Sequence, residues 1–453
     1  MRKILYLLIL LPFGLFGQND FVRMIVTAEG EVQFMRGQQK LWVSAITSPP
    51  IYEADYYVAP WGNDDNPGTF EEPWQSWQKG FYAPEQGAIV YFRGGEYEPI
   101  NTYWGVPYAA VYIADSQGEV INYFLNYPGE TPILNCYTDD RSISVGIWLK
   151  NSKNFYIQGL EIKNALQALN GSTVAKGIRM SEDCDNITIV NCVTHDIEGP
   201  GMDWCSGSGE DGTVEFINCD SYNNYDPYSA VPGNQADGFL SFQSDVLSAA
   251  TYTGCRAWNN SDDGFDTYAF SGLATYDGCW SFNNGWCAGN GFKMGPLDVE
   301  SYPTVRRIYR NCLSIANGYI GYNDNTSNPI IMTLYNNIAY LNGSDGISMY
   351  LCGSSSTVRN NISYGNLGTF QFKTDGGGIN DHNSWNGVVT CNDADFVSLG
   401  VNQLDNPRQA DGSLPVVTYM HLVEGSDLID AGVDVGLDYE GAAPDIGYAE
   451  SNY

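Results

Sequence analysis

Seven short segments of this chain repeat one pattern: VNCVTHDIE (190–198), INCDSYNN (217–224), TGCRAWNN (253–260), DGCWSFNN (277–284), RNCLSIAN (310–317), NNIAYLNG (336–343) and NNISYGNL (360–367). Aligned on Cys192, Cys219, Cys255, Cys279, Cys312, Ile338 and Ile362, they recur at separations of 27, 36, 24, 33, 26 and 24 residues. A floor near 24 with longer members describes a fixed unit that carries loops of variable length, which is the mark of a solenoid. Each unit holds short alternating stretches of Val, Ile, Tyr and Phe broken by Gly and Asn, with no helical period. That favours an all-β parallel β-helix of about 24–27-residue coils with loop insertions over helical or leucine-rich repeats.

The repeat assigns most of the cysteines. The count is odd, at eleven, and five of them fall at one position of the coil, so a thiol ladder is expected rather than a disulfide framework. Ile338 and Ile362 read as apolar replacements for Cys on later coils. Four residues on, Asn223, Asn259, Asn283, Asn342 and Asn366 read as a second ladder of stacked side chains at a bend. Residues 56–80 run strand, Gly/Asn/Pro loop, then a candidate helix. Thr69 is its expected start, and Trp74, Trp77 and Phe81 are its apolar anchors, which places an N-terminal helical cap over the open end of the stack. The β-helix is expected over residues 54–453, including the C-terminal tail, while residues 18–53 carry no repeat and no assignment.

Residues 1–17 read as a secretory signal: Arg2 and Lys3 precede an apolar run, Ile4 to Phe16, too short for a comfortable membrane span, with cleavage near Gly17. A secreted or periplasmic protein, monomeric, is expected. Acidic residues outnumber basic ones 53 to 21, for a formal charge of -32, which argues against nucleic acid or an anionic membrane as partner. An anionic substrate would need that repulsion offset locally, most simply by a metal ion. His195, His382 and His421 sit in unrelated contexts and suggest no zinc site.

A second alignment lies inside the first. Asp237-Gly238-Phe239, Asp263-Gly264-Phe265 and Asn290-Gly291-Phe292 are spaced by 26 and 27 residues, the coil period. Consecutive coils then stack Asp237 near Asp263, with Asp262 and Asp266 on the coil of Asp263, and set Lys293 over Asp266. Four ionised carboxylates this close are unfavourable without a counterion, and one Lys does not neutralise them. All-oxygen ligands select a hard cation, and a loose set drawn from two coils suits Ca²⁺ better than Mg²⁺. Several readings remain open: a structural Ca²⁺ between coils, a catalytic Ca²⁺ beside Lys293, Asp262 with Asp263 as a hydrolytic acid–base pair, or solvated acids. Two further residues attract notice, Tyr268 beside the cluster in sequence and Arg256 as a candidate contact for a substrate carboxylate.

The runs QADGF (235–239), NNSDDGFDTY (259–268) and GNGFKMG (289–295) resemble the family 9 polysaccharide lyases, pectate lyases on a right-handed parallel β-helix. The resemblance implies Ca²⁺ ligation by Asp237, Asp262, Asp263 and Asp266, and Lys293 as the catalytic base. It implies β-elimination on an acidic polysaccharide, polygalacturonate: loss of the C5 proton followed by cleavage of the C4–O bond. A carbohydrate-binding or adhesin β-helix with structural Ca²⁺ needs the aspartates but not Lys293. A β-helical glycoside hydrolase needs two carboxylates and no base.

Overall fold

The computed structural model describes residues 22–26, 32–36, 39–43, 54–100, 108–205, 212–242, 247–295, 304–325, 329–368, 372–373 and 378–452. The expected signal, residues 1–17, lies outside them. Two units divide between Glu53 and Ala54. The first carries three antiparallel strands, Val22–Val26, Val32–Arg36 and Gln39–Val43.

The second unit is a parallel β-helix. Alternation drives its strands: along Thr213–Ile217, Val214 and Phe216 turn inward while Thr213 and Glu215 face solvent. Each coil adds one strand to each of three parallel sheets. The first sheet has ten strands, from Ala109–Ala114 to Phe372–Lys373; the second has twelve, from Tyr56–Val58 to Ile379–Asp381; the third has ten, from Gly95–Tyr97 to Ile362–Tyr364. Identical register turns inward residues into columns. Phe239, Phe265, Phe292 and Tyr322 stack at 4.8–4.9 Å from the first sheet. Tyr252, Tyr276 and Tyr309 stack at 4.6 and 4.7 Å from the second. The columns meet edge to face, with Phe265 and Tyr276 at 5.5 Å, a favoured aromatic geometry that holds the sheets together under the site strands.

All eleven cysteines are free thiols, and Cys192, Cys219, Cys255, Cys279 and Cys312 are fully buried. Each of the middle three donates to a carbonyl on the previous coil: Cys219 to Ile189, Cys255 to Phe216 and Cys279 to Tyr252, all at 3.4 Å. The ladder does not continue through Ile338 and Ile362. Ile338 pairs with Leu313, and both isoleucines pack outward under the C-terminal tail with Phe396, Leu404 and Leu428. The Cys position passes instead to Asn337, Asn361 and Asn383, whose amides donate to the equivalent carbonyls of Tyr309, Leu334 and Val358 at 2.9–3.0 Å. A polar residue succeeds because the slot offers a backbone acceptor.

The same one-residue offset corrects the second ladder. Its buried members are Asn224, Asn260, Asn284, Asn317, Asn342 and Asn366, joined amide to amide at 2.7–3.1 Å. Asn223, Asn259 and Asn283 are exposed and occupy the left-handed region, φ 57°, 55° and 55°, where they turn the chain so that the next side chain points in.

The helix near the N-terminal end of the stack spans Trp77–Tyr82, and its cap is Ser76, whose hydroxyl accepts from Lys79 N. It does not begin at Thr69, because Trp74 is drawn into a bridge with Val58 and Asp64 accepts from the amides of Gln75 and Ser76. Trp77 packs on Phe92, and Phe81 stacks on Phe124. Arg256 is no surface residue. It forks onto buried Asp220 and donates to the Leu404 and Asn406 carbonyls, while Arg408 grips the same carboxylate, so the pair anchors the tail to the third sheet.

Asn284 separates the two kinds of Asn. Its amide bonds Ala257 O, Ser281 Oγ and Asn317 Oδ1, and its oxygen accepts from Asn260. Asn284→Ala leaves several of these buried partners unsatisfied, so chemical denaturation should register a loss of about 3 kcal/mol. Asn283→Gly, at the left-handed position, should change stability by less than about 1 kcal/mol. Equal losses at both positions would refute the ladder.

Candidate active site

Glycine allows the coils to close at the site. A Cβ on Gly264 would lie 2.1 Å from Ser281 Oγ, and one on Gly291 2.0 Å from Ser314 Oγ. With no side chain there, Gly238 N bonds Asp263 O and Gly264 N bonds Asn290 O, each at 3.0 Å, and the first-sheet strands stack in register. Phe239 pairs with Phe265 and Phe265 with Phe292, which sets Asp266 beside Lys293.

The structure brings Asp237, Asp262 and Asp263 together, with one carboxylate oxygen from each within 4.8 Å of the others. Asp237 and Asp263 are buried, and Asp262 is half-buried. Asp237 Oδ1 accepts from Asp263 N at 3.1 Å. Asp263 Oδ1 accepts from the backbone and side-chain amides of Asn290 at 2.5 and 2.8 Å. Asp266 is not one of that group and is tied to it through Lys293. The Lys293 Nζ lies 3.0 Å from Asp263 Oδ2 and 3.0 Å from Asp266 Oδ2. It also sits 5.4 Å from the Tyr268 ring, placing Tyr268 against the ammonium group.

Burial and mutual repulsion shape the titration of this group. Burial, followed by Asp262, Asp266 and Asp263, pushes Asp237 well above the usual carboxylate range. Burial and Asp263 raise Asp262 to about 8 against the pull of Lys293. Burial raises Asp266 to about 7, with Lys293 opposing and Asp263 adding to the rise. Burial acts against the charge on Lys293, but Asp266, Asp263 and Asp237 outweigh it and raise its pKa. Oxygen donors alone suit a hard cation. Asp266 Oδ1 is buried without a hydrogen-bond partner, so it fits the donor set of a hard cation.

A family model described as Pel9A-like, right-handed β-helix region, matches residues 56–383. The chain belongs to polysaccharide lyase family 9. It is 30% identical over 440 residues to pectate lyase L of Dickeya chrysanthemi, covering 90% of this chain and 93% of that protein. It is 27% identical over 425 residues to pectate lyase PEL9 of Emericella nidulans, covering 86% and 97%. The crystal structure of pectate lyase Pel9A superposes with a TM-score of 0.70 at 26% identity, covering 88% of this chain and 96% of that one. The protein is therefore a polysaccharide lyase on a right-handed parallel β-helix.

Several residues that shape the lyase site carry no motif. Buried Arg307 donates to Thr267 Oγ1, Met294 O, Gly272 O and Phe270 O, and Thr267 Oγ1 donates to Lys293 O at 2.8 Å. This net fixes the carbonyls of Lys293 and Met294. Asn323 donates to Asn290 Oδ1 at 3.0 Å and so orients the amide that serves Asp263. Register with the Asp-Gly-Phe motif was the available signal for Asn323. Arg307 had none, since its partners lie up to 40 residues away in the chain.

The raised carboxyl pKa values have a stability consequence. Between the ordinary Asp value of 3.8 and about 7 to 8, the folded, cation-free protein holds protons that the unfolded chain has lost. More protons bound in the folded state means that stability falls as pH rises through this window. In chelator, the melting temperature should drop between about pH 5 and pH 8, and Asp262→Asn should flatten the drop. Identical slopes for variant and wild type would show that Asp262 does not titrate there.

Proposed function

We propose that this lyase cleaves polygalacturonate by β-elimination, with Ca²⁺ held by Asp237, Asp262, Asp263 and Asp266 and with Lys293 as the base. The observation that carries the reading is the Lys293 ammonium 3.0 Å from two of the clustered carboxylates, Asp263 and Asp266. A purely structural cation site has no use for a cationic side chain at that distance. The names of the relatives, pectate lyases of bacterial and fungal origin, point to the same substrate.

Lys293 abstracts the C5 proton of a uronate, and the electron pair left behind expels the C4 oxygen. A Lys amine accepts that proton only when neutral, and at the ordinary pKa of roughly 10.4 little of it is neutral near pH 7. Asp263 and Asp266 hold the proton on the amine, so their neutralisation frees it. When bound, Ca²⁺ would be held by these aspartates together with Asp237 and Asp262 and would supply positive charge to them and to the substrate carboxylate on which negative charge develops. Arg307 and Thr267 keep the Lys293 backbone in place, and Tyr268 covers one side of the amine. A cation held there would also offset the repulsion between a protein of formal charge -32 and an acidic polymer. The residue 1–17 segment fits a protein exported to reach such a polymer.

The decisive assay follows the unsaturated sugar end, which absorbs in the ultraviolet and which hydrolysis does not make. Lys293→Ala should cut its release from polygalacturonate by roughly 10²-fold or more, while leaving Ca²⁺ affinity largely intact. Lys293→Arg should do no better, because a guanidinium stays protonated. Near wild-type turnover in Lys293→Ala would place the base elsewhere.

The cation assignment is tested separately. Asp237→Ala should sharply weaken Ca²⁺ binding in calorimetry with the fold intact, because Asp237 and Asp263 meet only through the stacked register. Unchanged affinity would remove Asp237 from the ligand set.

A further inference from the structure

The outward row of the first sheet continues past the aspartates. Register places Trp148, Arg179, Asp203, Leu240, Asp266 and Lys293 side by side on successive strands. Arg179 is thus three strand spacings from Asp266, about 14 Å along the sheet. Their inward neighbours Ile178, Met202, Phe239, Phe265 and Phe292 are buried in the core, so the row faces out.

Arg179 is held but not satisfied. Its guanidinium lies over the Trp148 ring at 5.2 Å. That ring is fixed in turn by its Nε1–H bond to Ser181 Oγ at 2.7 Å and by packing against Tyr112. The nearest carboxylate, Asp203, is 3.8 Å from Arg179 Nε, and Lys176 Nζ stands 3.8 Å from the same oxygen. Two cationic side chains therefore share one carboxylate oxygen, each at 3.8 Å, beyond hydrogen-bond distance. Arg179 makes no hydrogen bond to any described residue, and its Nε is buried without a partner. Elsewhere Arg93, Arg256, Arg359 and Arg408 each place two hydrogen bonds on a single carboxylate. A planar fork stacked on an aromatic ring matches a carboxylate in bidentate fashion.

The geometry points to Arg179, stacked on Trp148, as a specificity-determining subsite that binds a uronate carboxylate of the polysaccharide about 14 Å from Asp266. This assignment rests on the acidic substrate proposed above and adds where along the sheet that polymer is gripped. Arg179 acts on binding and takes no part in proton transfer.

The test measures polygalacturonate affinity by calorimetry in the Lys293→Ala background, with and without Arg179→Ala, and steady-state kinetics of the single Arg179→Ala variant. Loss of a charged, bidentate contact should weaken affinity and raise KM about tenfold. The kcat, the melting temperature and the Ca²⁺ affinity should stay near wild type. Arg179→Gln, which keeps the stem over Trp148, should show the same KM rise and replaces the alanine variant if that one folds poorly. Unchanged affinity and KM would overturn the subsite, and so would a fall in kcat at constant KM. Binding in the Lys293→Ala background does not depend on turnover. A wild type that releases no unsaturated product would therefore sink the lyase chemistry while the Arg179 comparison still decides the subsite.

Discussion

The core and the candidate site of the β-helix depend on parallel strands stacking without slippage. In a parallel ladder the residue at each position meets its counterpart one coil away, about 4.8 Å distant. Slippage by one residue would turn core positions to solvent. The Asn284 chain is one lock on that register, because its amides bond up and down the stack inside the turn. The stacked aromatic columns are another, since Phe265 touches Phe239, Phe292 and Tyr276 together. The aspartates need both locks. Asp237 and Asp263 come from different coils and meet only because the coils cannot slide.

That rigidity allows a costly electrostatic arrangement to persist. Burying carboxylates beside one another is unfavourable, and the upward shifts of Asp237, Asp262 and Asp266 record it. The chain offsets part of the cost with Lys293 and with the amides of Asn290. Lys293 is thereby both counterion and, in the proposed reaction, base. In that reaction the two roles would alternate, with the aspartates keeping the amine charged until another cation relieves them.

The period was visible in the sequence because five cysteines mark it, but the phase was harder to read. Asn337 and Ile338 are adjacent, and hydrophobicity alone prefers Ile in a slot shared with buried Cys. The slot turned out to be defined by the carbonyl it faces, here Tyr309 O, which a sequence does not display. The Asp-Gly-Phe columns were read in the correct register because Gly and Phe leave no ambiguity about the phase. Arg256 was misread because the Leu404 and Asn406 carbonyls to which it donates lie about 150 residues away in the chain. Arg307 and Arg179 were silent because their neighbours lie on other coils, up to 40 residues away. An arginine means little until its acceptors, or the lack of them, are known.

A solenoid suits a polymeric substrate for a reason that the row from Trp148 to Lys293 makes concrete. Inward positions carry stability and outward ones carry chemistry, and the strand period keeps the two apart. An outward residue such as Arg179 is exchanged without disturbing Ile178 beside it, which is fully buried. Within this row, the spacing between two groups is a whole number of coils. Moving a carboxylate-binding group nearer to Lys293 or farther from it therefore means changing one residue on another coil, with the site itself untouched. On such a frame the proposed reaction would be set by the coils that hold Asp237, Asp263 and Lys293, and the length of polymer gripped would be set by how far along the row the next carboxylate-binding cation stands.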